Sequence, residues 1–292
     1  MCRLFGFRSI IPSQVHRSLV HADNALAVQS ENHPDGWGVA FYVDGSPHLM
    51  KSATGAVDDA IFKRVSGVVA SETVLAHIRK ATQGNLTVLN THPFQYGRWV
   101  FAHNGDIPNF GRCSEALTAA IAPRLRRFIL GETDSERIFF LFLTELSKYG
   151  DLSGPQLGID EVMSALTDTI VAVRAICDGP DAPSPALLSV LVTNGHCMVA
   201  HHGGKDLFWS SWKKSCPDRD ICPSLNDVCE AASKTGFVNH FLIASEPLLG
   251  DNIWNLMREG EMVGVDFRMR LSQRQGPPAP PRVGAVVCSN TL

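Results

Sequence analysis

The sequence predicts a layered α+β fold, and three observations predict it. Short apolar runs punctuated by glycine fill roughly the first 110 residues, helical spacing dominates 114 to 177, and strand character returns from 186 onward. Strands, then helices, then strands suit a layered α+β arrangement better than a doubly wound α/β sheet, in which the two would alternate. No internal repeat interrupts this order.

The elements follow from local pattern. LFGF near the start, WGVAFYVDG at 37 to 45, VVASETVLAHIRKAT at 68 to 82 and RWVFAHNG at 98 to 105 read as strands of buried sheet. Between the first two, Ser13 can cap a helix in which Val15, Leu19, Ala22 and Leu26 follow helical spacing. Leu117, Ile121, Leu125 and Phe128 mark one face of the next helix, which Pro123 should kink or divide. Thr133 and Glu136 form a capping-box pattern at the start of a second helix that ends near Gly150. A third follows Asp160, with Val162, Leu166, Ile170 and Val173 in register.

The segment GPDAPSPA at 179 to 186 breaks the helical region, and ALLSVLVT-NG-HCMVAHHG reads as a hairpin turning at Asn194-Gly195. Phe237 to Ala244 and Met262 to Leu271 are expected to be strands, and 211 to 234 an irregular insertion with a short helix. QGPPAPPRVG is too rich in proline for a core element. The expected division is a domain over 1 to 275 and a proline-rich tail over 276 to 292.

With 292 residues, 45% hydrophobic and 19% charged, the chain has the composition of an ordinary soluble globule. A net charge of −3 leaves no basic footprint for nucleic acid and no polybasic stretch for a membrane, so small or neutral partners are expected. The N-terminus lacks a signal-peptide pattern and no apolar run reaches ~18 residues, which points to the cytoplasm. The eight cysteines are scattered. Their one local cluster, Cys216, Cys222 and Cys229 near His201 and His202, lacks the close pair of a zinc site, so plain thiols and no metal are expected.

Cys2 carries the chemical signal. Once Met1 is removed, a thiol and a free α-amine share one residue, and an amine titrating near ~8 can serve as the base for its own thiol. A lone cysteine at this position is most often a small buried hydrophobe. Three further segments change that weighting: His77-Ile78-Arg79-Lys80-Ala81-Thr82, Asn90-Thr91-His92-Pro93-Phe94, and His103-Asn104-Gly105-Asp106. Each ends or interrupts a predicted strand. Singly, Arg79 reads as a cation at a strand end, His92 as a loop residue before proline, and Asn104-Gly105 as a turn.

Together these segments resemble the glutaminase domain of class II glutamine amidotransferases, within the N-terminal nucleophile hydrolase superfamily. The matches, in order, are MCRLFG, HPDGWG, HIRKAT, NTHPF, FAHNGDIPNF, TDSE at 133 to 136 and IASEPL at 243 to 248. Among that family the chain is most similar to small stand-alone members, relatives of γ-glutamyl hydrolases of ergothioneine synthesis and glutathione breakdown. The resemblance implies a four-layer α/β/β/α sandwich of two antiparallel sheets between helical layers, and no cofactor.

It also implies a chemistry. Cys2 attacks the amide carbonyl of glutamine or a γ-glutamyl compound, and water hydrolyses the resulting thioester. The Asn104 side chain and the Gly105 N–H are implied as oxyanion donors. Arg79 is implied to take the substrate α-carboxylate and Asp134 its α-ammonium, although an acid in the first turn of a helix also favours the macrodipole by itself. His92 is expected to shape the pocket wall. The Asp35-Gly36-Trp37-Gly38 stretch reads as a structural turn, and Ser245-Glu246 either braces the site or simply ends a strand. Lys80 stands where sugar-phosphate-forming relatives commonly carry tryptophan. A glutaminase subunit dependent on a partner, and a catalytically silent binding protein of the same fold, are the alternatives.

Overall fold

The computed structural model describes residues 2–15, 17–22, 24–154, 157–179 and 182–277. Met1, whose removal a free N-terminal thiol residue requires, and the proline-rich tail beyond 277 lie outside them. In chain order the strands are β1 (Arg3–Gln14), β2 (Trp37–Val43), β3 (Ser46–Ser52), β4 (Ala70–Ile78), β5 (Phe94–Tyr96), β6 (Trp99–Asp106) and β7 (Leu187–Thr193). They continue with β8 (Met198–His201), β9 (Phe208–Ser210), β10 (His240–Ala244), β11 (Asn255–Leu256), β12 (Glu261–Val265) and β13 (Leu271–Gln275). The helices are α1 (Leu26–Gln29), α2 (Ala60–Val68), α3 (Ser114–Ala120), α4 (Pro123–Arg126), α5 (Asp134–Leu146) and α6 (Ile159–Cys177).

Two antiparallel sheets result. One runs β11-β9-β10-β1-β4-β2-β3 and the other β13-β12-β8-β7-β6-β5. Side-chain alternation along each strand sets the layers. In β1 and β2, Phe5, Phe7, Trp37 and Val39 join the core shared with α1 and α2, while Leu4, Ala40 and Tyr42 join Val100, Ala102 and Leu191 between the sheets. The second sheet buries Phe101, Val190 and Val192 against α5 and α6. This is the four-layer α/β/β/α sandwich of the N-terminal nucleophile hydrolase fold, as the sequence implied.

Several elements depart from expectation. No helix starts at Ser13: β1 continues to Gln14, with Ser13 paired to Ser71, and the helical residues fall into a short π-helical turn (Arg17–His21) and α1. Val15, Leu19 and Leu26 are buried nonetheless, so their spacing reported burial rather than one continuous helix. Pro123 does divide the next helix, separating α3 from α4.

The expected capping box is half formed. The Thr133 hydroxyl accepts the Glu136 N–H at 3.2 Å, but the Glu136 carboxylate turns to the N–H groups of Leu130 and Gly131 at 3.0 and 2.7 Å. That helix, α5, ends at Leu146, short of Gly150. Met262 to Leu271 is not one strand, because β12 stops at Val265, a turn carries Met269 at φ 62°, and β13 begins at Leu271. Strands β3, β9 and β11 and helix α2 carry weaker patterns that the sequence did not reveal.

Candidate active site

Strand ends meet at the site. Arg3 and Trp37 both register with Ile78, so the starts of β1 and β2 lie beside the end of β4, where Arg79 and Lys80 follow. Cys2 is therefore delivered to the Lys80 backbone: the Lys80 N–H points at the Cys2 sulfur from 3.3 Å, and the Lys80 carbonyl lies 3.4 Å from it. Burial pushes the Cys2 thiol up, opposed by the Lys80 N–H and the positive charge of Arg79, while the negative charge of Asp134 adds to the rise.

Arg79 is buried, and a carbonyl nest holds it. Its guanidinium donates to Gln83 O at 2.9 Å, Asn85 O at 3.2 Å and Gly84 O at 3.4 Å. A guanidinium carries five N–H donors, so further donors are left for a carboxylate. Desolvation pulls its pKa down, against the charges of Cys2 and Asp35. The nest is itself tied down, since the Asn85 N–H and side chain reach Glu132 at 3.3 and 3.1 Å and Asn90 donates to Asn85 O at 3.0 Å.

The Asp35 to Gly38 turn is structural and also holds this segment. Trp37 is buried against Phe62 and donates to Asp59 at 2.9 Å. Asp35 accepts the Ala81 N–H at 2.8 Å, and the Arg79 N–H donates to Gly36 O at 2.7 Å. A Cβ on Gly38 would overlap the His92 carbonyl, so glycine lets the His92-Pro93 segment, with its cis peptide bond, pass close to β2.

Asn104 and Gly105 lie in β6, in the other sheet. The Asn104 amide reaches the Ser245 hydroxyl at 3.4 Å, and the same hydroxyl accepts the Leu4 N–H at 2.9 Å. Ser245 thus bridges the strand that carries Cys2 and the strand that carries Asn104. Glu246 pairs with Arg3 at 3.3 Å. A Cβ on Gly105 would overlap the Leu187 carbonyl, which makes glycine obligatory at this register of β6 on β7.

Asp134 opens α5 and is buried. One carboxylate oxygen accepts the Ile107 N–H at 2.9 Å, and the other accepts the Ser135 N–H at 2.7 Å and hydroxyl at 3.1 Å. His103 joins this network through Ser135 at 2.9 Å. His92 packs on His77 with ring centroids 4.2 Å apart and on Phe94 at 4.7 Å, and both of its ring nitrogens are buried without a hydrogen-bond partner. Desolvation holds it well below the usual histidine range. Among the described residues it forms no side-chain hydrogen bond to Cys2, Arg79, Asn104 or Asp134, and its ring packs on His77 and Phe94 instead.

The structure thus brings Cys2, Arg79 and Asp134 within electrostatic reach of one another and ties Asn104 to the Cys2 strand through Ser245. Sequence reasoning missed the Lys80 N–H, the 83 to 85 carbonyl nest and the part of Asp35. Only Asp35 had a signal, its place in HPDGWG. Among the described residues no three His, Cys, Asp or Glu side chains converge as metal ligands. No helix among them is long and apolar enough to cross a membrane.

Fold and site define an N-terminal nucleophile hydrolase. Residues 1–273 match the family of class II glutamine amidotransferases, and the chain belongs to that family, an enzyme of the amidohydrolase type. A probable glutamine amidotransferase of Saccharomyces cerevisiae is 30% identical over 223 residues, 68% of this chain and 62% of the yeast protein. A γ-glutamyl-hercynylcysteine sulfoxide hydrolase of Mycobacterium tuberculosis is 40% identical over 117 residues, 36% of this chain and 49% of that protein. The chain thus spans less than two thirds of either relative.

Among solved structures, a class II glutamine aminotransferase domain protein from Silicibacter pomeroyi superposes with a TM-score of 0.64 at 20% identity, covering 95% of this chain and all of that one. The glutamine phosphoribosylpyrophosphate amidotransferase of Bacillus subtilis gives 0.58 at 14% identity, over 94% of this chain and 49% of that one. These likenesses concern the fold.

Proposed function

We propose that the enzyme cleaves the γ-glutamyl amide bond of glutamine or of a γ-glutamyl compound through a γ-glutamyl thioester on Cys2, after Met1 is removed. Its main support is the pair of buried opposite charges, Arg79 and Asp134, that both act on the Cys2 thiol. An amino acid presents an anion and a cation on one carbon, and this pair matches them: Arg79 takes the α-carboxylate and Asp134 the α-ammonium. The side-chain amide then extends toward sulfur.

The α-amine of Cys2 takes the thiol proton as sulfur attacks the carbonyl carbon, and the Lys80 N–H steadies the developing thiolate. Asn104 and the Gly105 N–H receive the oxyanion. The amine leaves with the proton, and water, deprotonated by the same α-amine, frees glutamate from sulfur. His92 acts from behind, as a packed wall. The mycobacterial relative's name supports a γ-glutamyl cysteine sulfoxide as one substrate class, and the yeast relative's name supports glutamine as the other. Residues 1–275 would form the enzyme and 276–292 a tail.

The test is a substrate panel. Protein shown by mass spectrometry to lack Met1 should release glutamate from glutamine or from a γ-glutamyl thiol peptide, and Cys2→Ala should release none. Turnover that survives Cys2→Ala would sink the mechanism, and inertness towards the whole panel would sink the substrate assignment.

A further inference from the structure

A cleft of about 790 Å³ opens on the outer face of the first sheet, away from Cys2. Its floor comes from β1 and β10, whose register sets Phe7 against Leu242 and Ser9 against His240. The insertion at 213 to 229 and the 248 to 252 segment form its walls. Cys2 lies seven residues before Ser9 along an extended strand, a separation of about 23 Å. None of Cys2, Arg79, Asn104 or Asp134 lines the cleft.

Three features set it apart from an ordinary surface groove. Its volume lies in the range of small-molecule sites, about 300 to 1,000 Å³. Ile10, Ile221 and Leu249, 41%, 82% and 60% exposed, gather on this one cleft instead of scattering over the surface. At the floor, His240 is 9% exposed and its Nε2 is buried with no hydrogen-bond partner, a cost that a ligand group would remove.

The polar groups indicate what would enter. Burial pulls His240 down to about 3, assisted by the positive charge of Lys213, so the ring is neutral near pH 7 and can carry its proton on Nε2. Lys213 also lines the cleft and forms no ion pair among the described residues. The acids on the rim, Asp218 and Asp251, are exposed, so water screens them, whereas the Nε2 position is dry. An N–H donor and an ammonium beside apolar Phe7, Leu242 and Leu248 suit an anion with a hydrocarbon body.

We propose that this cleft is a second binding site, for a small monocarboxylate with an apolar body, its carboxylate held by Lys213 and the His240 Nε2–H. Phe7, Leu242 and Leu248 receive the body. β1 and β10 run on from this floor to Cys2 and Ser245, so an occupant would brace the two strands that carry the nucleophile and its bridging hydroxyl.

Calorimetric titration with 1-naphthylacetate tests the site. The wild-type protein should bind it saturably and bind 1-naphthylacetamide about tenfold more weakly. Lys213→Met and His240→Phe should each weaken the acid about tenfold, Ser18→Trp should fill the cleft and block it, and Arg79→Met should leave it unchanged. His240→Phe can fail to fold, so the half-buried Lys213→Met decides. Equal affinity for acid and amide, undiminished binding by Lys213→Met, loss of binding in Arg79→Met, or no heat at millimolar probe would each overturn the proposal.

Discussion

The Lys80 backbone N–H lies 3.3 Å from the sulfur of Cys2, and no side chain is involved on the Lys80 side of the contact. Strand register makes this contact, because Arg3 on β1 is held against Ile78 on β4 and each chain then continues by one or two residues into the site. Whatever side chain occupies position 80, the donor remains. The lysine found where some relatives carry tryptophan therefore leaves the thiol's backbone support intact.

Burial raises the Cys2 thiol above its ordinary range, so it should be a poor thiolate in the resting enzyme near pH 7. Alkylation by iodoacetamide should accelerate about tenfold per pH unit and keep rising beyond the ordinary thiol midpoint of about 8.5. Rates measured from pH 6 to 10 by mass spectrometry check this, and a plateau below pH 7 would contradict it.

Asn104→Ala removes the proposed oxyanion donor and leaves Arg79 and Asp134 in place. The kcat on the best panel substrate should fall by about 10²- to 10³-fold, or about 3 kcal/mol, with KM nearly unchanged. A variant that instead raises KM alone would assign Asn104 to ground-state binding.

Ser245→Ala strips the acceptor from the Leu4 N–H and the partner from Asn104 in one step. A buried N–H left unsatisfied costs about 1 to 3 kcal/mol, and urea denaturation should show that loss together with reduced turnover. Ser245→Thr, which keeps the hydroxyl, should recover much of both.

Four buried histidines set the acid response. Burial pulls His77 and His240 down to about 3 and His201 to about 4, and holds His92 well below its ordinary value. In the unfolded chain each takes up a proton near ~6.5, so the stability they confer is complete above that value and is lost as pH falls toward the folded values. The urea midpoint should drop steeply between pH 6.5 and 4, on the order of 1 kcal/mol per pH unit for each histidine while it stays neutral in the fold. His77→Phe should flatten the slope, and a midpoint independent of pH over this range would refute the assignment.

Local pattern made much of this molecule legible. The runs around Phe5, Val39, Leu75 and Phe101 declare buried strands because apolar side chains on both faces have no other home, and Pro123 divides a helix wherever it stands in one. The resemblance of the ordered motifs likewise marks Cys2, Arg79, Asn104 and Asp134 as the candidate set. The sequence misreads Ser13 to Leu26, whose buried residues repeat at helical spacing while the chain completes a strand and then turns. It also misplaces Glu136, whose carboxylate finds the loop before α5 more favourable than its own cap.

The sequence by itself therefore determined the fold class, the longer buried strands and helices and the candidate residues for the chemistry, since these follow from periodicity and motif. Tertiary structure alone decided how the chemistry is held: the Lys80 N–H on sulfur, the 83 to 85 carbonyls around Arg79 and the Ser245 hydroxyl between Leu4 and Asn104. The first two are backbone groups, which sequence does not distinguish from one position to the next, and the Ser245 hydroxyl acquires its partners only when the two sheets pack. Strand register and sheet packing, which set residues 141 apart within 3.4 Å, gave each one its place.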